Sequence, residues 1–170
     1  MTDTPVQTTQ VQTTQVYRIF IKANPERIWE AITQPEMIAK YFFGTRMDAP
    51  LGVVGARVKS WSPDHATLWT DNEVLESDPP RRLVHTWRSL YDPELASEEE
   101  SRVTWEIEPQ EGGYSKLTVI HDRLEGAPKT AGSVFGGWML IISGLKTVVE
   151  TGQPLVGFEG GGDAGQGLTG

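Results

Sequence analysis

The feature that most constrains this chain is a change of hydrophobic period along it. Between residues 51 and 121, apolar side chains recur at every second position, interrupted by turn-forming clusters. After that, one stretch over 132–151 carries apolar residues at helical spacing. The first pattern predicts strands at 55–61, 68–76, 83–89, 101–108 and 114–121. They are separated by Ser62-Pro63-Asp64, by Asp78-Pro79-Pro80, by the loop from Leu90 to Glu100 and by Glu111-Gly112-Gly113. Connections this short make sequential strands antiparallel neighbours. Val103, Trp105 and Ile107 alternate with Thr104, Glu106 and Glu108, so one face of the sheet is wet. The other face must be buried, and the long helix, roughly 30 Å at 1.5 Å per residue, is the only element large enough to cover it. Phe135, Trp138, Met139, Ile142, Leu145, Val148 and Val149 mark its apolar face, and Gly152 its stop. The fold class is α+β.

The part before the sheet reads as a strand over 16–22, with Tyr17, Ile19 and Ile21 on one face. Asn24-Pro25-Glu26 starts a helix: Asn caps, Pro suits the first helical position, and Glu complements the dipole. Pro35-Glu36 opens a second short helix bearing Met37, Ile38, Tyr41 and Phe42 and ending at Gly44. The tandem repeat Val-Gln-Thr-Thr-Gln over 6–15 has too little bulk to offset its ordering entropy, so 1–15 is expected to be a flexible arm. Residues 157–170 hold seven glycines in fourteen positions and read as a flexible tail. One domain over 16–156 remains.

Composition excludes several classes. With no cysteine there are no disulfides, thiolate nucleophiles or cysteine-held metals. A net charge of −8 is not the footprint of a nucleic-acid module. The acidity is concentrated: 61–110 hold twelve acidic and four basic residues, against four and seven in 16–60. Within the acidic part, Glu98-Glu99-Glu100 is expected to be a solvated loop. The longest unbroken apolar run, 138–142, is too short for a membrane span, and the first residues carry no secretory signal. A cytoplasmic protein without membrane insertion is the expectation.

Four segments then resemble one family. Asn24-Pro25-Glu26-Arg27-Ile28-Trp29-Glu30-Ala31-Ile32-Thr33-Gln34-Pro35-Glu36 is similar to the first-helix signature of START-like (SRPBCC) proteins. The mid-sheet hairpin around Arg82-Leu83-Val84-His85-Thr86-Trp87 resembles theirs, as do the strands Val103-Thr104-Trp105-Glu106-Ile107 and Leu117-Thr118-Val119-Ile120-His121. The closing helix from Gly137-Trp138 to Thr151-Gly152 completes the set. Together they resemble the branch named after the activator of heat-shock protein 90 ATPase. Gln34 departs from the pattern, standing where a capping Asp is usual. The resemblance implies a helix-grip fold, a curved antiparallel sheet wrapped around the C-terminal helix, with an apolar cavity between sheet and helices.

No nucleophile elbow, phosphate-binding glycine loop or zincin motif occurs, since Ser133 in Gly132-Ser133-Val134-Phe135-Gly136 is misplaced. His65, His85 and His121 lack metal-ligand spacing, so neither a metal nor another cofactor is expected. His85 and His121 fall on the inward parity of their strands and read first as hydrogen-bonded core histidines. Trp61, Trp69, Trp87 and Trp105 lie one per strand, and four inward indoles overfill a tight core unless they line a space. The expected pocket lining is therefore Phe43, Trp61, Trp69, Trp87, Trp105, His121, Phe135, Met139 and Ile142, with Arg57, Asp71 and Glu73 as further polar candidates. Three functions follow: a binding protein for a small hydrophobic ligand, a chaperone partner as the branch name implies, or an enzyme with a pocket acid or base such as His121. Exposed sheet edges and the Gly136-Gly137 pair leave monomer and homodimer open.

Overall fold

A computed structural model describes residues 13–157. The expected arm before residue 13 and the tail from residue 158 lie outside the described residues. The chain runs β1 (Gln15–Ile21), α1 (Pro25–Thr33), α2 (Pro35–Tyr41), β2 (Arg46–Met47), β3 (Arg57–Trp61), β4 (Leu68–Asp78), β5 (Arg82–Trp87), α3 (Pro93–Ala96), β6 (Ser101–Gln110), β7 (Tyr114–Asp122) and α4 (Pro128–Thr151). The seven strands form one sheet in the order β1-β7-β6-β5-β4-β3-β2, and every pairing is antiparallel. The long helix α4 packs on its inner face, which is the helix-grip arrangement.

Local signals explain most elements. Asn24 Oδ1 accepts from the Arg27 amide at 2.9 Å and caps α1. Gln34 makes no side-chain cap, and α2 starts on its proline alone. The β1 strand begins earlier than the sequence suggests, at Gln15, whose buried amide donates to the Ala131 carbonyl of α4 at 2.9 Å. Helix α4 also begins early, because its cap is remote in sequence: the Glu98 carboxylate accepts from the Lys129 amide at 2.9 Å, the Thr130 amide at 2.7 Å and the Thr130 hydroxyl at 2.8 Å. Glu98 is thus a helix cap and not part of a free solvated loop. Its negative charge also complements the dipole of the longest helix.

The buried face of α4 is Val134, Trp138, Ile141, Ile142, Leu145, Val148 and Val149. Phe135 and Met139, expected on that face, stand 49% and 53% exposed. Between Thr130 and Leu145 the helix carries no charged residue, so the period alone does not select a face. By length and composition α4 is apolar enough to cross a membrane, with mean hydropathy 1.4, which the short unbroken run conceals. Gly144 permits the close approach of α2, since a Cβ there would sit 3.2 Å from Tyr41 Cβ. Gly132, Gly136 and Gly137 have no such reason among the described residues, where a Cβ at each meets nothing within 4 Å. Each costs about 1 kcal/mol of helix propensity relative to Ala.

The remote cap is testable. Glu98→Ala is expected to lower stability by about 1 kcal/mol, as loss of an N-cap acceptor does, whereas Glu100→Ala should change it by less than about 0.5 kcal/mol. Urea denaturation followed by circular dichroism distinguishes the two.

Candidate functional site

The inner face of the sheet is not filled evenly. Trp138 of α4 lies against the sheet, its ring 5.5 Å from Trp105, 6.0 Å from Trp87 and 5.9 Å from His121. It occupies the space between helix and sheet, and the remaining void lies to one side, under α1 and α2. There a cavity of about 40 Å³ lies within a cleft whose empty space, mouth included, is about 430 Å³. The enclosed part accommodates a few waters, and its mouth opens to solvent.

Alternation builds two kinds of wall. Ile32 of α1, Ile38 and Tyr41 of α2, Phe42, Met47 and Leu51 form an apolar roof, and Trp87 and Trp105 an aromatic floor. Ser60, Thr70, Asn72 and His85 form a polar strip across β3, β4 and β5. Ser60 and Thr70 share the inward parity of Val58, Asn72 and Val74, and their hydroxyls pair at 2.5 Å. Asn72 is different. It is 6% exposed, and its Oδ1 has no hydrogen-bond partner. A buried amide oxygen without a partner costs about 1–3 kcal/mol.

The histidines are fully engaged. His85 Nδ1 lies 2.8 Å from the Thr86 carbonyl, so it carries the proton and donates, while Nε2 accepts from the Trp105 indole at 3.0 Å. His121 has the opposite tautomer: Nδ1 accepts from the Trp138 indole at 3.0 Å, so Nε2 donates to Ser101 Oγ at 2.7 Å. Ser101 in turn donates to the Trp87 carbonyl at 3.3 Å. Burial pushes the His85 pKa down to about 4. Burial, and then the neighbouring His85, pushes His121 down to about 3. Both rings are neutral at pH 7 and have neither a free lone pair nor a free proton for a substrate.

The structure redistributes the expected lining. Trp87 and Trp105 line the cavity. Trp61 and Trp69 flank a β-bulge between β3 and β4, where the register passes from Ser60↔Thr70 to Trp61↔Leu68, and they do not line it. The bulge breaks the strict alternation on which their inward assignment rested. Phe43 packs beside Phe42 at φ 53°, His121 is wholly buried behind the floor, and Ile142 belongs to the core under α4. Phe135 and Met139 face outward, away from the cavity. Arg57, Asp71 and Glu73 form a half-exposed ion cluster, with Arg57 3.1 Å from Asp71 and 3.7 Å from Glu73. Asn72, Ser60 and Thr70 escaped the sequence reading, which followed aromatic residues; their parity with Val58 and Val74 was the available signal. Among the described residues no three His, Asp or Glu side chains are grouped as metal ligands would be.

An antiparallel sheet closed on one long C-terminal helix, with two short helices roofing a cleft, defines a helix-grip protein of the START-like (SRPBCC) class. The family described as Activator of Hsp90 ATPase homolog 1-like protein matches residues 22–150, and the chain belongs to it. None of the curated proteins compared matches it in sequence. Among solved structures, protein MLL2253 of Mesorhizobium loti is similar at 25% identity and TM-score 0.66, over 80% of this chain and 96% of that one. The Aha1 dimer of Colwellia psychrerythraea, solved in solution, is 19% identical with TM-score 0.66, over 83% and 98%. DynU16, a protein of the dynemicin biosynthetic locus, is 22% identical with TM-score 0.66, over 84% of this chain and 49% of that one.

The neutral histidines make stability pH-dependent. Unfolded, each takes up a proton near pH 6.5; folded, they do so only near 4 and 3. The unfolded state therefore binds more protons below pH 6.5, and stability falls on acidification, by up to about 1.4 kcal/mol per pH unit for each ring. The urea midpoint is expected to drop between pH 7.5 and pH 5, above the carboxylate range, and His121→Gln to weaken that dependence. A flat profile contradicts the assignment.

Proposed function

We propose that this protein binds a small, uncharged, largely apolar or aromatic molecule in the cleft between the sheet and α1 and α2. The observation that carries this reading is a cleft with an apolar roof and an aromatic floor of Trp87 and Trp105, crossed by one polar strip in which the Asn72 amide oxygen has no partner among the described residues. Small-molecule sites combine these features: apolar walls supply affinity, and a few fixed polar groups supply orientation. Among the described residues no ionised side chain lines the cleft, so a charged ligand group inside it would find no counter-charge there. A ligand with one hydroxyl or amide N–H directed at Asn72 meets both conditions. His85, with both ring nitrogens engaged, stiffens the wall and does not act as an acid or base.

A chaperone contact is the alternative that the family's description suggests, and the acidic stretch over 61–110 is the surface it would use. Stimulation of Hsp90 ATPase by the purified protein is the measurement that would establish it.

Ligand binding is tested with matched pairs of aromatic alcohols and their hydrocarbons, by thermal shift and calorimetry. The alcohols are expected to bind about tenfold or more tightly, the worth of one buried hydrogen bond. Asn72→Leu should abolish that preference while raising the stability of the unliganded protein by about 1 kcal/mol, since it removes an orphaned polar group. Failure of all pairs to bind, or a preference that survives Asn72→Leu, overturns the reading.

A further inference from the structure

Among the described residues, nothing covers the outer face of α4. Gly132, Gly136, Met139 and Ser143 follow one another along its exposed side, with Phe135 and Leu140 beside them. Phe135, Met139 and Leu140 are 49%, 53% and 41% exposed. Apolar side chains on a solvent-facing stripe and glycines inside a helix both disfavour the isolated chain, and here they coincide. Gly144 shows what a glycine in this helix does when it has a neighbour, because it admits Tyr41. Gly132, Gly136 and Gly137 leave the same kind of room on the outside, where none of the described residues enters it.

We propose that this stripe is the seat of a second copy of the same chain, with two α4 helices packed antiparallel about a two-fold axis between Met139 and Leu140. The stripe is self-complementary in that arrangement. Gly136 lies opposite Ser143 of the second copy and Gly132 opposite its Thr147, so small residues meet along the contact and the backbones approach closely. Met139 and Leu140 meet their counterparts at the centre. The charges agree as well. No ionised residue lies on α4 between Lys129 and Lys146, and the antiparallel pairing brings Lys129 at one end beside Glu150 at the other. Lys129 and Glu150 are each tied within their own chain, to Glu94 at 3.1 Å and to Lys146 at 2.7 Å, so the ends join existing ion pairs into a larger network. A two-fold axis makes every contact occur twice, as an isologous interface requires.

The contact is one helix face, about 22 Å from Gly132 to Thr147, so the dimer is small and weak, with a dissociation constant on the order of 10 µM. Sedimentation of the full chain over roughly 1–200 µM is expected to show the mass rising from 18.8 kDa toward twice that value. Met139→Glu and Met139→Lys place like charges beside the axis and should each weaken association about tenfold or more, with circular dichroism and melting temperature at low concentration unchanged. Mixing the two variants should restore the dimer, because only at an axis does residue 139 of one copy meet residue 139 of the other. A wild-type chain that stays monomeric throughout overturns the proposal. So does a Met139→Glu variant that dimerises as the wild type does, or a mixture that fails to associate. Binding of the stripe to neutral lipid vesicles by a monomeric wild-type chain would assign it to a membrane surface instead.

Discussion

The interior depends on hydrogen bonds from indoles to neutral imidazoles. An indole N–H only donates, and a sheet interior offers it few acceptors, because the backbone carbonyls are committed to the ladder. Here Trp105 donates to His85 and Trp138 to His121, and His121 in turn donates to Ser101. One set of bonds thereby links α4 with β5, β6 and β7. It fixes the tautomers of both rings and keeps them uncharged, which is the condition for burying them at all. The cost is a core that acid weakens. The gain is three large aromatic rings held in place without an orphaned donor, since Trp87 also donates, to Ser89 at 3.2 Å.

Where these rings sit decides where the cavity is. Trp138 closes the gap between the long helix and the sheet, so the void that a helix-grip fold leaves is displaced toward α1 and α2. Trp87 and Trp105 both touch Trp138 and also line the cleft. The roof is short-helix and loop material, anchored where the buried Tyr41 hydroxyl donates to the Ala31 carbonyl at 2.7 Å. Below it the alternation of β3 and β4 sets Ser60, Thr70 and Asn72 in a strip. The polar strip is therefore narrow, and within it the Asn72 amide oxygen is the buried atom left without a partner among the described residues.

Much of this was legible in the sequence. The change of period at the end of the sheet gave the order of elements and the fold class, and strand parity placed His85 and His121 inside as hydrogen-bonded residues. Three things were not legible, each for a physical reason. The start of α4 is capped by Glu98, remote along the chain, and no local signal announces a remote cap. The face of α4 was ambiguous because the helix is uncharged on every side from Thr130 to Leu145, so Phe135 and Met139 were placed inward and in fact point outward. The bulge at Trp61 and Trp69 interrupts the alternation from which their orientation was inferred. Asn72 was readable in principle, since it shares the parity of Val74, but a search for large rings passes over an amide.

The six tryptophans report directly on whether a ligand enters the cleft beside Trp87 and Trp105. Each indole N–H gives one resolved cross-peak in a nitrogen–proton correlation spectrum, and conservative Trp→Phe variants assign them. Titration with an aromatic alcohol is expected to move the peaks of Trp87 and Trp105 and to leave those of Trp29, Trp61, Trp69 and Trp138 in place. Movement of Trp61 or Trp69 alone, or no movement of any of the six, would contradict the proposed site.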